Sequence, residues 1–263
     1  MTESATGRVV AVILCAGQGT RMGAGENKVF MPLAGMPALL WSVEAFERAA
    51  AVDDLLLVAH PDEVERVRAL VATAGPRKLI GVVAGGATRS GSERRELAAL
   101  RARIESGEIG LVMIHDGARP LVTPEEIERL ARDARTPGSP GGALLAAPVG
   151  MDEEIGEIAP DGGLTRLFIP GELARAQTPQ AFDARLLLAA YDRAETDGFD
   201  GTDTAATVER LGAPVLVVVG SDDNLKLTTP DDLTRAETIV RGRPHPLTPS
   251  PTRREGNEDG RRE

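Results

Sequence analysis

Short apolar runs alternate with amphipathic stretches along most of the chain. VVAVILC (9–15), LLLVA (55–59), LIGVVA (79–84), LVMIHD (111–116) and ALLAAPV (143–149) are continuous and strand-length, the pattern of strands buried on both faces. Between them the pattern predicts a helix over Pro37–Ala50 and one opened by Pro61, whose fixed φ suits a first helical position. Two more are predicted, one from about Ser92 and one capped by Thr123-Pro124-Glu125-Glu126. Further on it predicts helices from about Phe182 and over Thr204–Leu211, a strand at PVLVVVG (214–220), and a last helix capped by Thr229-Pro230-Asp231-Asp232. Apolar strands separated by helices imply an α/β fold, a three-layer sandwich with a mostly parallel central sheet.

Two segments break the alternation. From Gly150 to Ala174 the chain is polar and turn-rich with no long helical pattern, and an excursion of that length inside a domain is usually functional or an interaction element. After Val240 it reads RGRPHPLTPSPTRREGNEDGRRE, too poor in apolar residues to order itself. The reading is one domain over 8–240, with a protruding arm at 150–174 and a disordered tail over 241–263.

Composition narrows the class. Aromatics are 3% of 263 residues, so the core is built from Val, Leu, Ile and Ala. A net charge of −10 speaks against general nucleic-acid binding through a basic surface and requires a local cluster for any bound anion. Of 30 basic residues only Lys28, Lys78 and Lys226 are lysines. One cysteine, Cys15, leaves no internal disulfide and no cysteine metal cluster. It ends a strand and reads as a small apolar residue, and Met22, Met31 and Met36 read as packing. The opening MTESATGR lacks the apolar run of a signal peptide, and no run reaches membrane-spanning length. A soluble cytoplasmic protein is expected.

Candidate chemistry starts in the loop after the first strand, Ala16-Gly17-Gln18-Gly19-Thr20-Arg21-Met22-Gly23. Closely spaced glycines let backbone N–H groups approach an anion. No Gly-Lys-Ser/Thr follows, so this is not a P-loop; the spacing also misses G-x-G-x-x-G, and the second strand ends in Ala59-His60 without a ribose-binding acid. What remains is a glycine loop with Arg21 inside it and Lys28 beyond it, equally readable as a tight turn with solvated charges.

The pattern AGQGTRMG…NKVFMPLAGMPAL resembles the opening of nucleoside-triphosphate:sugar-phosphate nucleotidyltransferases. GGATRSGS (85–92), HDGARPLV (115–122), AQTPQAF (176–182), GTDTA (201–205) and DNLKLTTPDDL (223–233) follow it in the order of one family. That family is 2-C-methyl-D-erythritol 4-phosphate cytidylyltransferase with its ribitol-phosphate relatives, and the resemblance spans about Val9 to Val240.

The resemblance implies a Rossmann-like nucleotidyltransferase fold and transfer of CMP from CTP to 2-C-methyl-D-erythritol 4-phosphate, with release of pyrophosphate, in isoprenoid precursor synthesis. Another polyol phosphate such as ribitol 5-phosphate, or a non-catalytic nucleotide-binding relative, is the alternative. It further implies that Arg21 and Lys28 stabilise the transition state, and that Ala16, Gly17 and Gly19 hold phosphates and ribose. Gly85, Gly86 and Ser92 would read the base, Ser92 serving equally as N-cap of the next helix. Asp116 would bind acceptor hydroxyls or lie near Mg²⁺, and Arg119, Thr178, Thr202 with Asp203, and Lys226 at the end of a short strand would face the acceptor. Mg²⁺ is expected with the triphosphate, and a homodimer through the arm. His115 reads as a packed strand-end histidine. The chain departs from the family at Ala87 and at Thr204, where an acid is usual, at Met151-Asp152, and at Pro170, where an arginine is usual; Arg166 and Arg175 are the candidates to replace it.

Overall fold

The structure, a computed structural model, describes residues 7–17, 27–149, 156–158, 164–166 and 172–243. In chain order come β1 (Arg8–Cys15), a 3-10 turn (Lys28–Phe30), a ribbon of β2 (Pro32–Leu33) and β3 (Met36–Pro37), then α1 (Ala38–Arg48) and β4 (Asp54–Ala59). A second 3-10 turn (Pro61–Glu63) leads into α2 (Val64–Ala74), followed by β5 (Leu79–Ala84), α3 (Arg89–Glu105), β6 (Ile109–Asp116), α4 (Pro124–Ala134) and β7 (Gly142–Pro148). The chain continues through β8 (Gly156–Ile158), β9 (Leu164–Arg166), β10 (Ala174–Asp183), α5 (Ala184–Thr196), α6 (Thr204–Glu209), β11 (Leu216–Val219) and α7 (Pro230–Val240).

A seven-stranded sheet in the order β11-β7-β10-β6-β1-β4-β5 forms the middle layer. All its pairings are parallel except those of β10 with β6 and β7. Alternation along β1 shows the layering: Val9, Ala11, Ile13 and Cys15 pack with α1, α2, α4 and α7, while Val10 and Val12 pack with α3, α5 and α6. Both faces are covered, so β4 and β6 are buried along their whole length, as their unbroken apolar runs require.

Polar residues set the helix ends. Thr123 and Glu126 form a capping box at α4, as do Thr229 and Asp232 at α7, each with Pro at the first turn. Gly75, at φ +59, closes α2 in the left-handed conformation that glycine tolerates best.

Three expectations need correction. β10 was not expected: residues 176–182 carry Gln177, Pro179 and Gln180, which argue against a central strand. It is accommodated because the pairing with β7 jumps from Ala176↔Ala146 to Gln180↔Leu144, so Pro179 sits in a bulge where no ladder hydrogen bond is needed. Next, α3 starts at Arg89 rather than near Ser92, and its N-cap is Thr88, which accepts from the Gly91 amide at 3.0 Å. Lys226 lies in the loop between β11 and α7 rather than on a strand. Leu227, fully buried, anchors that loop by donating its amide to Ala118 O at 2.8 Å.

The predicted arm falls mostly outside the described residues, Met151, Asp152 and Pro170 included. Within it β8 and β9 pair antiparallel, Gly156 opposite Arg166. At the other end Arg243 donates to Leu121 O at 2.7 Å and Asp223 Oδ2 at 3.2 Å; residues 244–263 lie outside the described set.

Candidate active site

The carboxyl ends of β1, β4 and β6 open into a cleft of about 600 Å³. This is where open α/β sheets bind ligands. Its lining includes Ala16 and Gly17 from the glycine loop, Lys28, Gly86 to Arg89, Ser92, Asp116 and Lys226. Of the residues assigned by resemblance, Gly19 and Arg21 lie outside the described residues.

The end of β1 is tied down from the side. Asn27, buried, donates its amide nitrogen to Cys15 O at 2.9 Å and to Glu63 Oε2 at 2.8 Å, and its Oδ1 receives the Val29 amide at 3.3 Å. Lys28 therefore sits on a turn pinned to the strand end. Cys15 is buried, donates to Val58 O at 3.1 Å, and its thiol is pushed up to about 12 by burial, consistent with an unreactive packing residue.

Across the cleft, the loop between β5 and α3 packs closely. A Cβ on Gly86 would lie 2.5 Å from the Gly91 carbonyl carbon, so glycine is required there, and one on Gly85 would lie 2.7 Å from Ser92 Oγ, so that hydroxyl would have to shift. Ser92 Oγ accepts from the Gly86 amide at 3.1 Å and donates to Thr88 O at 3.0 Å. Its hydroxyl shapes the loop from within the first turn of α3 and does not cap the helix.

Asp116, at the end of β6, organises the cations. Lys226 Nζ lies 2.7 Å from its Oδ2, Arg89 Nη1 bonds its Oδ1, and Arg119 Nε is 4.0 Å away. Burial alone would raise the Asp116 carboxyl, but Arg89 and Lys226 hold it well below the usual carboxylate range. Arg89 is held charged by Asp116 and Glu93 against the opposing effect of burial. Arg119 donates to Asn224 O at 2.8 Å, while its buried Nε has no hydrogen-bond partner among the described residues.

Behind Asp116 lies a neutral relay. The Asp116 amide donates to Thr178 Oγ1 at 2.9 Å, Thr178 Oγ1 is 3.3 Å from His115 Nδ1, and His115 Nε2 is 3.2 Å from Arg119 O. One protonation pattern satisfies all three: the Thr178 hydroxyl donates to Nδ1 and Nε2–H donates to the carbonyl. Burial lowers the His115 pKa to about 3, which keeps the ring neutral as this pattern needs. The packed-histidine reading of His115 fits.

Thr178 thus supports Asp116 from behind and is not among the described residues lining the cleft. Nor is Thr202, which is exposed, while Asp203 caps α6 and receives Gln180 Nε2 at 3.2 Å. Arg175 pairs with Asp222 at 2.9 Å on the surface.

Arg89 was not singled out from the sequence, nor were two acids one and two turns after it on α3. Glu93, 1% exposed, receives the Tyr191 and Thr204 hydroxyls. Burial raises its pKa, opposed by Arg89 and by both hydroxyls. Glu96, 0% exposed, has no hydrogen-bond partner for either carboxyl oxygen among the described residues, and burial followed by the charge of Glu93 raises its pKa well above the ordinary value. A carboxyl raised in the folded state adds stability below its unfolded pKa and loses it as pH rises towards the folded pKa. Glu96→Met should therefore stabilise the protein near neutral pH by about 1–3 kcal/mol, the usual cost of an unsatisfied buried polar group. Urea unfolding should show this advantage shrinking below about pH 4, near the free glutamate value.

The chain's relatives fall in one family. The sequence model of the 2-C-methyl-D-erythritol 4-phosphate cytidylyltransferase (IspD) family matches residues 9–242. The chain is similar to the 2-C-methyl-D-erythritol 4-phosphate cytidylyltransferase of Acidobacterium capsulatum, 39% identical over 242 residues that span 90% of this chain and 98% of the relative. It is likewise similar to that of Geobacter metallireducens, 39% identical over 234 residues, 89% of this chain and 97% of the relative. Among solved structures, a 2-C-methyl-D-erythritol 4-phosphate cytidylyltransferase from Thermus thermophilus superposes with a TM-score of 0.65 at 30% identity, covering 89% of this chain and 99% of that one. On this match over nearly the whole fold, the chain belongs to the 2-C-methyl-D-erythritol 4-phosphate cytidylyltransferase family.

Proposed function

We propose that this chain transfers CMP from CTP to 2-C-methyl-D-erythritol 4-phosphate and releases pyrophosphate, a step of isoprenoid precursor synthesis. The observation that carries the reading is the cleft where the opening of the glycine loop, Lys28, Arg89 and Lys226 meet around Asp116, in a chain of this family.

An oxygen of the acceptor phosphate attacks the α-phosphorus of CTP. A new P–O bond forms there, the bond to the α–β bridging oxygen breaks, and pyrophosphate leaves with that electron pair. Positioning and charge neutralisation supply most of the acceleration in such transfers. Lys28 and Arg21 neutralise charge on the triphosphate, and Ala16, Gly17 and Gly19 hold it by their backbone. Gly86 and Ser92, in the cleft wall, and Gly85 next to them read the base. Arg119, whose Nε has no hydrogen-bond partner among the described residues, and Lys226 receive the acceptor phosphate, with Thr178 acting through Asp116.

Mg²⁺ belongs to the same reading. Among the described residues no group of three or more His, Cys, Asp or Glu side chains is placed to hold a metal ion. Both oxygens of Asp116 are taken by Arg89 and Lys226, so a Mg²⁺ here would be held largely by phosphate oxygens and water, with Asp116 near it at most. When bound, the ion neutralises and orients the triphosphate. The composition of residues 150–174 supports a homodimer through that segment. A cytoplasmic location belongs to the same reading; no helix among the described residues is long and apolar enough to cross a membrane.

Products identified by mass spectrometry and phosphorus NMR test the acceptor. With 2-C-methyl-D-erythritol 4-phosphate and ribitol 5-phosphate offered separately alongside Mg²⁺ and CTP, the erythritol product should form with the higher kcat/KM. A preference for ribitol 5-phosphate would overturn the assignment.

A further inference from the structure

Glu93 sits behind the cleft wall and takes no part in the chemistry above. Three elements converge on its carboxylate. Arg89, one turn earlier on α3, brings Nε to within 3.1 Å of Oε1; Thr204 at the start of α6 donates to Oε1 at 2.8 Å; and Tyr191 on α5 donates to Oε2. Every partner can donate, which suits an ionised carboxylate. The other edge of Arg89 reaches Asp116 through Nη1, and the second oxygen of Asp116 holds Lys226 at 2.7 Å. One continuous chain of contacts thus runs Tyr191 and Thr204, Glu93, Arg89, Asp116, Lys226.

The placement is costly unless it serves something. The buried stripe of α3 continues through Leu97, Leu100 and Ile104, so position 93 could carry an apolar residue at no desolvation cost. A glutamate there does what an apolar residue cannot. Its charge lies 3.1 Å from the Nε edge of a guanidinium whose Nη1 works in the cleft, an ion pair without a directed hydrogen bond among the described residues, and so holds that guanidinium in place electrostatically. Arg89 paired to Asp116 alone could rotate about its long side chain, and the carboxylate would follow.

We propose that Glu93 is a positioning residue for nucleotidyl transfer: by clamping Arg89 against Asp116 it fixes the orientation of Asp116 and Lys226 in the cleft. The inference rests on the reading of this cleft as the transfer site. Glu93 touches no substrate and acts through Arg89.

The test is a double-mutant cycle on pyrophosphate release. Glu93→Gln keeps the shape and can still accept from one of the Tyr191 and Thr204 hydroxyls while its NH2 donates to the other, but loses the charge that aligns Arg89. In the wild-type background kcat should fall about tenfold, within the range for a sub-ångström misplacement, with the KM for CTP changed less than twofold. In an Arg89→Gln background the same change should leave kcat unaltered, because no guanidinium remains to be aligned. Equal losses in the two backgrounds, or full activity of Glu93→Gln, would overturn the proposal. If Glu93→Gln fails to fold, Tyr191→Phe, which removes one donor from the same carboxylate, replaces it under the same two criteria. Wild-type protein in the same assay separates the two readings, since its silence would count against the transfer reaction alone. In that event the side-chain Nε–H of Arg89, followed by nitrogen NMR, decides. A slowly exchanging signal lost in Glu93→Gln supports the clamp, and an unchanged one refutes it.

Discussion

Replacing Lys28 by alanine is expected to cut turnover with CTP about a hundredfold, on the order of 3 kcal/mol in barrier, comparable to the loss of one preorganised donor at a developing charge. The overall charge is −10, so the cations at the reacting phosphates have to be supplied by a few fixed residues. Lys28 is fixed because its turn is pinned by Asn27 to Cys15 O and to Glu63. That pinning uses the Asn27 and Glu63 side chains and the Cys15 backbone, so removing the lysine side chain should leave the melting temperature nearly unchanged. Steady-state kinetics with a thermal melt on the same sample checks both halves. The same loss is expected for Arg21→Ala, and near-normal turnover in either variant would remove the assignment.

Asp116→Asn should destabilise the fold by about 3 kcal/mol near neutral pH, the usual cost of removing one partner of a buried ion pair. Asp116 is buried and balances Arg89 and Lys226; without its charge the two cations face each other across the cleft. The pH dependence has a definite sign. Because these cations depress the Asp116 pKa, its contribution is present above the unfolded carboxylate value and is lost as pH falls through the folded one. The gap between wild type and Asp116→Asn, read from urea unfolding, should therefore be full at pH 7 and narrow below about pH 4. A gap independent of pH would mean that the asparagine acts by shape alone.

Most of the fold was legible because the apolar signal there is unambiguous. β1, β4 and β6 are buried on both faces, and a strand covered twice has to be written as an unbroken apolar run. The caps of α4 and α7 were equally legible, since Thr-Pro with an acid three residues after the threonine satisfies the orphan amides in a recognisable way. β10 was hidden because its middle is not a regular strand. Gln177, Thr178 and Pro179 occupy a bulge, and their polar groups are satisfied by tertiary partners, such as Asn224 donating to Thr178 O at 2.9 Å, that no local pattern encodes.

The site divides the same way. Lys28, Lys226, Asp116, Ser92 and Gly86 stood in recognisable motifs and do line one cleft. Arg89 stands in the same motif as Gly86 and Ser92, but the motif alone does not mark it. Its clue was the i,i+4 spacing to Glu93, joined to the polar start of a stripe whose later positions are leucine and isoleucine. That charged residues at such positions face a site rather than solvent depends on how α3 lies against β6, which is tertiary information. Thr178 shows the opposite case. Its motif was recognised, yet its hydroxyl turns away from the cleft to hold the Asp116 amide and His115.

The most direct test of the account is pyrophosphate release by the purified chain with Mg²⁺ and CTP, in the presence and absence of 2-C-methyl-D-erythritol 4-phosphate. The account predicts rapid release that requires the acceptor and matches the CMP conjugate formed mole for mole. No release above the acceptor-free rate, from protein that still binds CTP, would contradict it.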